Sequence, residues 1–300
     1  MKRIVYQIDA FTKNMFSGNP AGVVTNAEGM SQFQMQSLSR ELNNSETAFI
    51  SRAEASDCDV SIRYFTPSSE VPVCGHATIA SGYAILLEKL KYPNPLRIKT
   101  GAGVLSIELH EGRNPFMISM VQGIVNIGEP FSETLRIKII NALDLDEEDI
   151  DLDCPIQTAS TGHSKVMVGI KSKTRLDSLH PKMDMLKSIS ADIGCNGYYV
   201  FTFDSGERDV LVAGRMFAPA IGIAEDPVTG NANGPLGAYL VSNRIVEVYQ
   251  SKFSFVGKQG EAMGRKGYVG VNVEVDGTGR PYKVSISGDA VAVFRTEIEI

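Results

Sequence analysis

The sequence predicts an α+β protein made of two pseudo-symmetric halves, each a barrel-like β-sheet wrapped around one buried central helix. Three observations support this fold class. Alternating apolar and polar residues, which are typical of half-buried strands, recur along the whole chain. Two helical segments, residues 77–87 and 232–241, are apolar on almost every side and therefore indicate burial all round. Nearly the same residues introduce both segments, as an internal duplication would produce.

Strands dominate the predicted secondary structure. The segments with a period of two are residues 3–11, 59–66, 96–100, 104–109, 198–203, 268–275, 282–286 and 291–300. Helices are fewer. Ser31 and Gln34 form a capping box ahead of one amphipathic helix, and Pro181 is expected to open another helix that stops at Gly194.

The duplication is clearest in the residues that precede the two buried helices. The first half reads Arg63-Tyr-Phe-Thr-Pro and Glu70-Val-Pro-Val-Cys-Gly-His-Ala, and the second reads Arg215-Met-Phe-Ala-Pro and Glu225-Asp-Pro-Val-Thr-Gly-Asn-Ala. Eight of these thirteen aligned positions are identical. Upstream, residues 38–46 align with residues 189–197. An internal duplication therefore explains the length of 300 residues better than two unrelated domains do.

Composition and charge exclude several classes of protein. The chain has 29 basic and 35 acidic residues, a net charge of −6 and no long run of basic residues, which argues against a nucleic-acid partner. No apolar run reaches the ~18 residues of a membrane span, and no secretion signal is readable, so we expect a cytoplasmic protein without a membrane partner. The four cysteines are widely spaced and form no CxxC pair, which favours reduced thiols over a zinc ribbon.

Each of the two matching loops ends at the N-terminus of a buried helix. We expect the loops to face each other across a cleft between the halves, where small-ligand sites commonly form. Backbone N–H groups around Gly75, Ala77 and Gly230, with the helix dipoles behind them, would hold a carboxylate. The alternative is that each loop only turns a strand into a packed helix.

The positions at which the halves differ identify candidate reactive groups, because scaffold positions should match while chemistry needs one copy of a reactive side chain. The differing pairs are Glu46 with Gly197, His76 with Asn231, Asp226 with Val71, and Cys74 with Thr229. The apolar residues after Glu46 are expected to raise the pKa of its carboxyl group towards the range useful for proton transfer. Each group also has a structural alternative: a solvated strand residue for Glu46, a cap or turn residue for His76 and Asp226, and a buried apolar residue for Cys74.

In combination, these motifs resemble the PhzF family of phenazine-biosynthesis proteins. The matching segments are Asp9-Ala-Phe-Thr, Gly18-Asn-Pro-Ala-Gly-Val, Ser45-Glu-Thr-Ala-Phe, Phe65-Thr-Pro, Cys74-Gly-His-Ala-Thr and Glu225-Asp-Pro-Val-Thr-Gly. The resemblance implies the diaminopimelate epimerase-like fold, in which the last strand returns to the first half, and a homodimer. The expected domains are residues 1–120 with about 289–300, a linker at 121–130, and residues 131–288.

The resemblance also implies an isomerase that needs neither cofactor nor metal. It would move a proton between carbons of a small unsaturated cyclic or amino or hydroxy carboxylic acid, with Glu46 as acid and base and with His76 and Asp226 assisting. The expected substrate-binding residues are Ser45, Cys74, Gly75, Ala77, Thr229, Gly230 and Asn231. Where the phenazine enzyme has serine after the second glycine, this chain has Asn231, which leaves the substrate open.

Several alternatives remain at this stage. An epimerase with two thiols is disfavoured, because Thr229 replaces the second thiol and a hydroxyl is a far weaker acid. A dehydratase with a Cys74–Thr229 pair stays open, as does a non-catalytic protein that binds small carboxylates. A nucleotide site at residues 230–237 is weak, since the spacing is not GxGxxG.

Overall fold

The computed structural model describes residues 1–53, 57–112 and 116–300, which form a mixed α+β protein. The strands are β1 (Lys2–Ala10), β2 (Asn19–Val24), β3 (Glu46–Arg52), β4 (Val60–Phe65), β5 (Glu70–Val71), β6 (Leu96–Thr100), β7 (Gly103–His110), β8 (Met117–Val121), β9 (Asn126–Ile127), β10 (Gln157–Ser160), β11 (Lys165–Gly169), β12 (Tyr198–Thr202), β13 (Val212–Ala218), β14 (Ile223–Asp226), β15 (Lys252–Gln259), β16 (Gly267–Val275) and β17 (Pro281–Glu299). The helices are α1 (Gln32–Leu42), α2 (Gly75–Leu87), α3 (Glu133–Ala142), α4 (Lys173–Asp177), α5 (Met183–Ile193) and α6 (Gly230–Ser242).

The chain forms two compact units. The first contains Met1–Val121 and Ser287–Ile300, and the second contains Gln122–Ile286. Strand β17 passes from the second unit into the first, so the C-terminal residues pair with β1. The segment expected as a linker contains β9, which pairs with β10 of the second unit.

The sheet of the first unit closes on itself. Its strands follow the order β1, β2, β3, β4, β6, β7, β8 and β17, and β17 returns to pair with β1. Helix α2 packs against β1, β2, β3, β7 and β8. Because α2 is apolar all round, it lies inside this eight-stranded ring with nearly all of its residues buried.

The second unit repeats the strand orientations of the first. Strands β10 and β11 are antiparallel, β11 and β12 parallel, β12 and β13 antiparallel, β13 and β15 parallel, and β15 and β16 antiparallel. The same sequence of orientations joins β1, β2, β3, β4, β6 and β7. Helix α6 packs against β9, β10, β11, β15 and β16 as α2 does in its own sheet. The predicted fold class, two related barrel-like sheets each around a buried helix, is confirmed.

Several predicted elements are observed and two are corrected. The capping box of α1 is present, with Gln34 N donating to Ser31 Oγ at 3.3 Å and Ser31 N donating to Gln34 Oε1 at 2.9 Å. Helix α5 ends at Gly194, which has a φ of 69°, but it begins at Met183 rather than at Pro181. The two strands predicted at 282–286 and 291–300 are one strand, β17. Gly288, which lies between the two predicted segments, leaves room for the Phe11 ring, which would clash with any Cβ at that position.

Two general expectations can be compared with the structure. All four cysteines are thiols rather than disulfides. Within the described ranges, no helix combines the length and the apolar character that a membrane crossing requires.

Candidate active site

The first unit assembles one group of the predicted residues, Ser45, Glu46, Cys74 and His76, which we call the first half-site. Glu46 begins β3, where it pairs with Ala21 of β2, and Ser45 lies immediately before it. Cys74 and His76 stand at the start of the buried helix α2. The closed sheet thus brings the strand residue Glu46 beside the N-terminus of the helix inside it.

The His76 imidazole connects the other three side chains. Its Nε2 lies 3.2 Å from Ser45 Oγ and 3.5 Å from Glu46 Oε2, while its Nδ1 lies 3.3 Å from Cys74 Sγ. Both side chains are largely removed from solvent, since 8% of the His76 side chain and 16% of the Glu46 side chain are exposed. An imidazole in this position can donate a proton from one nitrogen while it accepts at the other, so the cluster is able to relay protons.

The first turn of α2 lacks a side-chain cap. Cys74 is the N-cap residue with extended backbone, and its thiol makes no capping hydrogen bond to the helix. At Gly75, an added Cβ would make only an ordinary contact, 3.7 Å from Met120 Cε. The protein's own packing therefore does not demand glycine here, and the helix N-terminus is suited to hold an anion.

The same cluster also contains suitable metal ligands. One donor atom each from Glu46, Cys74 and His76 lie within 4.8 Å of one another. Carboxylate, thiolate and imidazole are ligands of Zn²⁺ in proteins. This donor set makes the metal independence expected from the sequence a matter for direct test.

The second unit assembles the remaining predicted residues, Asp226, Thr229, Gly230 and Asn231, which we call the second half-site. Asp226 ends β14, Thr229 is the N-cap residue of α6, and Gly230 begins that helix. The Thr229 hydroxyl donates a hydrogen bond to the Asp226 carboxylate. The carboxylate is thereby fixed at the entrance to the helix.

A glutamine that the sequence did not point out fixes this turn. Gln259, at the end of β15, donates from Nε2 to the Asp226 carbonyl at 2.7 Å and to Thr229 Oγ1 at 3.1 Å. Its Oε1 accepts a hydrogen bond from Thr229 N at 3.1 Å. Because its amide satisfies both ends of the loop, Gln259 is a positioning residue for Asp226.

Two further residues that were not predicted from the sequence form hydrogen bonds to the first turn of α6. Gln122 Nε2 donates to the Gly230 carbonyl at 3.2 Å. Thr161 Oγ1 lies 2.8 Å from Gln122 Oε1 and 3.3 Å from Asn231 Oδ1. Asn231 itself has a non-helical ψ of 20°, so the helix kinks at this position. The first turn of α6 is therefore held by side chains from two distant segments, with Gln122 at Gly230 and Thr161 at Asn231.

Comparison with known proteins establishes the family. The family model described as phenazine biosynthesis-like protein (PhzC-PhzF) matches residues 8–296. The chain belongs to the PhzF family. An uncharacterized isomerase of Clostridium acetobutylicum is 50% identical over 294 residues, covering 98% of this chain and 97% of the relative. The uncharacterized isomerase YddE of Escherichia coli is 45% identical over 298 residues, covering 99% and 98%.

A relative with a named reaction is more distant. The trans-2,3-dihydro-3-hydroxyanthranilate isomerase of Pseudomonas aeruginosa is 30% identical over 285 residues, covering 95% of each chain. Among solved structures, a PhzF-family protein of Bacillus anthracis has a TM-score of 0.90 at 29% identity, with all of both chains covered. A hydroxyproline epimerase of Agrobacterium vitis, at 11% identity and a TM-score of 0.63, has a similar fold over 99% of this chain and 91% of its own. This protein is thus an enzyme of an isomerase family with an epimerase-like fold.

Proposed function

We propose that this enzyme is a cofactor-independent isomerase with Glu46 as its acid and base. Its substrate would be a small unsaturated cyclic acid or an amino or hydroxy carboxylic acid. The observation that carries the proposal is the first half-site, where the partly buried Glu46 carboxylate lies 3.5 Å from His76 Nε2 and beside Ser45. Carboxylates held in partly desolvated positions are suited to proton abstraction from carbon.

In the proposed reaction, Glu46 removes a proton from one substrate carbon. The C–H electron pair enters the conjugated system and its negative charge spreads onto the substrate carboxylate. Glu46 then returns the proton to another carbon of the same system, so the double bond moves and no atom is gained or lost. His76 keeps the carboxyl group of Glu46 aligned and is able to exchange protons with Ser45.

Backbone N–H groups around Gly75 at the start of α2, and around Gly230 at the start of α6, are each suited to bind a carboxylate. Asp226, fixed by the Thr229 hydroxyl, would position the substrate. The 30% identity to a named anthranilate-type isomerase supports the substrate class.

One observation favours a second candidate function. Cys74 Sγ lies 3.3 Å from His76 Nδ1, an arrangement in which imidazole can take the thiol proton. A thiolate at this position would act as the base of an amino-acid epimerase or dehydratase. Thr229, the counterpart of Cys74, is a poor partner for that chemistry because its hydroxyl is a weak acid.

The experiment is turnover in D2O, followed by NMR, with trans-2,3-dihydro-3-hydroxyanthranilate, trans-4-hydroxyproline and proline. Wild type is compared with Cys74→Ala, and each reaction is repeated with a chelator present. We expect double-bond migration with deuterium on carbon, retained in Cys74→Ala and unaffected by the chelator. Loss of turnover in Cys74→Ala would instead support the epimerase or dehydratase, and loss to the chelator would show that the Glu46, Cys74 and His76 cluster works with a metal.

A further inference from the structure

The second unit contains a buried amine outside the predicted residues. Lys165 begins β11, and only 4% of its surface is exposed. Within the described residues, its Nζ donates a single hydrogen bond, to the His163 carbonyl at 3.3 Å. An ammonium group has three donors, so this contact leaves much of its hydrogen-bonding capacity unused.

A second buried lysine of the same unit has a full set of hydrogen-bond and ion-pair partners. Lys258, with 2% exposure, has its Nζ 2.7 Å from the Ser205 carbonyl, 2.9 Å from Glu261 and 3.2 Å from Glu207. Two carboxylates and a carbonyl compensate for the loss of water around that charge. Lys165 has no comparable set of acceptors among the described residues.

Strand register places Lys165 of the second unit at the position that corresponds to the neighbour of Glu46 in the first unit. In the first unit, Ala21 of β2 pairs with Glu46 of β3. In the second unit, Val166 pairs with Tyr198 and its N–H donates to the Gly197 carbonyl at 2.9 Å, so Lys165 lies beside Gly197. Since Gly197 aligns with Glu46, Lys165 occupies the place of Ala21.

Each unit therefore has one charged side chain at this pair of strand positions, with opposite signs. The second unit cannot carry its charge at residue 197, because a Cβ there would clash with the Phe217 carbonyl and lie 2.6 Å from Met216 Cε. The charge is supplied by Lys165 on the neighbouring strand, and helix α6 packs against that strand.

The surroundings of Lys165 are suited to a ligand anion. Burial is the largest influence on its pKa and lowers it to about 8, while the nearby Asp226 and Cys195 act in the opposite direction. The neighbouring His163 has its pKa lowered by burial and by Lys165 itself, which favours a neutral imidazole. Below pH 8, the amine is thus a cation near Asp226, without an ion pair within 4 Å among the described side chains.

We propose that Lys165 Nζ binds the carboxylate of an anionic ligand, the substrate of the enzyme. The inference rests on the proposed function for the identity of the ligand and extends it by naming the cation of the second half-site. Lys165 supplies the positive charge that the helix N-terminus alone provides only in part.

The test is calorimetric binding of a panel of small acids, namely acetate, benzoate, anthranilate and proline, with anthranilamide as the uncharged counterpart of anthranilate. The proteins are wild type, Lys165→Met, Lys165→Arg and the matched control Lys258→Met. A charged hydrogen bond contributes about 1.5 to 3 kcal/mol, so Lys165→Met should weaken the tightest acid about tenfold to a hundredfold. Binding of anthranilamide should not change, and Lys165→Arg should recover part of the affinity.

The pH dependence adds a signature that a structural role would not give. In wild type and in Lys258→Met, acid affinity should fall as pH rises through 8, and in Lys165→Met it should stay level. Three results would overturn the proposal. They are equal acid affinity in wild type and Lys165→Met, a loss of anthranilamide affinity as large as that of the acids, and no binding of the acids to wild type at millimolar concentration. Failure of Glu46 as the base would appear separately, as deuterium exchange that persists in Glu46→Gln while the Lys165 effect on binding remains.

Discussion

Replacing Lys165 by methionine should stabilise the folded protein at neutral pH. Burial depresses the pKa of Lys165 from 10.5 to about 8. At about 1.4 kcal/mol per pH unit, this difference corresponds to about 3 kcal/mol of destabilisation by the charged amine. Methionine has a similar length and no charge, and it gives up only the hydrogen bond to His163, about 1 kcal/mol. We therefore expect Lys165→Met to raise the free energy of unfolding by about 2 kcal/mol at pH 7.

The sign follows from the direction of the shift. A lysine whose folded pKa lies below its unfolded value destabilises the protein fully below pH 8, and the penalty disappears as pH rises towards 10.5. Urea unfolding of wild type and Lys165→Met at pH 7 and pH 10 measures the difference. The gain should be present at pH 7 and absent at pH 10. A variant less stable than wild type at pH 7, or a difference that does not depend on pH, would refute this reasoning.

The matched control should change in the opposite direction. Lys258→Met removes the cation that holds Glu207 and Glu261, so it should lower the free energy of unfolding by roughly 2 to 4 kcal/mol. Replacement of two similarly buried lysines would then change the free energy of unfolding in opposite directions. A residue that destabilises the fold is typical of a functional site.

The internal repeat provides two further tests by urea unfolding. Arg215 is buried and paired with Glu225 at 2.8 Å, whereas its counterpart Arg63 is about a third exposed and paired with Glu70 at 2.6 Å. Arg215→Met should cost about 3 to 5 kcal/mol and Arg63→Met less than about 1 kcal/mol, and equal losses would contradict the dependence on burial. Gly197→Ala should cost more than about 2 kcal/mol, because its Cβ would clash with backbone; a neutral effect would show that β12 shifts easily.

Much of the fold could be predicted because the repeated motifs are short and contain many identical residues. The two motifs that introduce α2 and α6 contain the buried helices, their glycines and the preceding strands. Helix α3 was missed because its apolar residues are interrupted by Arg136 and Lys138, although Ser132 and Glu133 are typical of a helix start. Strand β17 was predicted as two segments separated by residues 287–290, and the contact of Gly288 with the Phe11 ring is visible only in three dimensions.

The site could be predicted as far as the repeat was aligned. Comparison of the halves selected Glu46, Cys74 and His76. In the structure, the His76 imidazole lies 3.5 Å from the Glu46 carboxylate and 3.3 Å from the Cys74 thiol. Gln122 and Gln259 were missed, because an amide that bridges a turn from a distant strand leaves no local pattern. Lys165 did leave a signal. Extending the alignment upstream to Ala21 would have shown another position at which one half alone carries a charge.

The most direct measurement of the central claim is the rate at which Glu46→Gln incorporates solvent deuterium into a turned-over substrate. The matched control is Glu88→Gln, a partly buried glutamate of the same unit that pairs with Tyr6 instead of His76. If Glu46 transfers the proton, deuterium incorporation should fall about a hundredfold to ten-thousandfold in Glu46→Gln and stay near the wild-type rate in Glu88→Gln. Unchanged incorporation in Glu46→Gln would contradict the account.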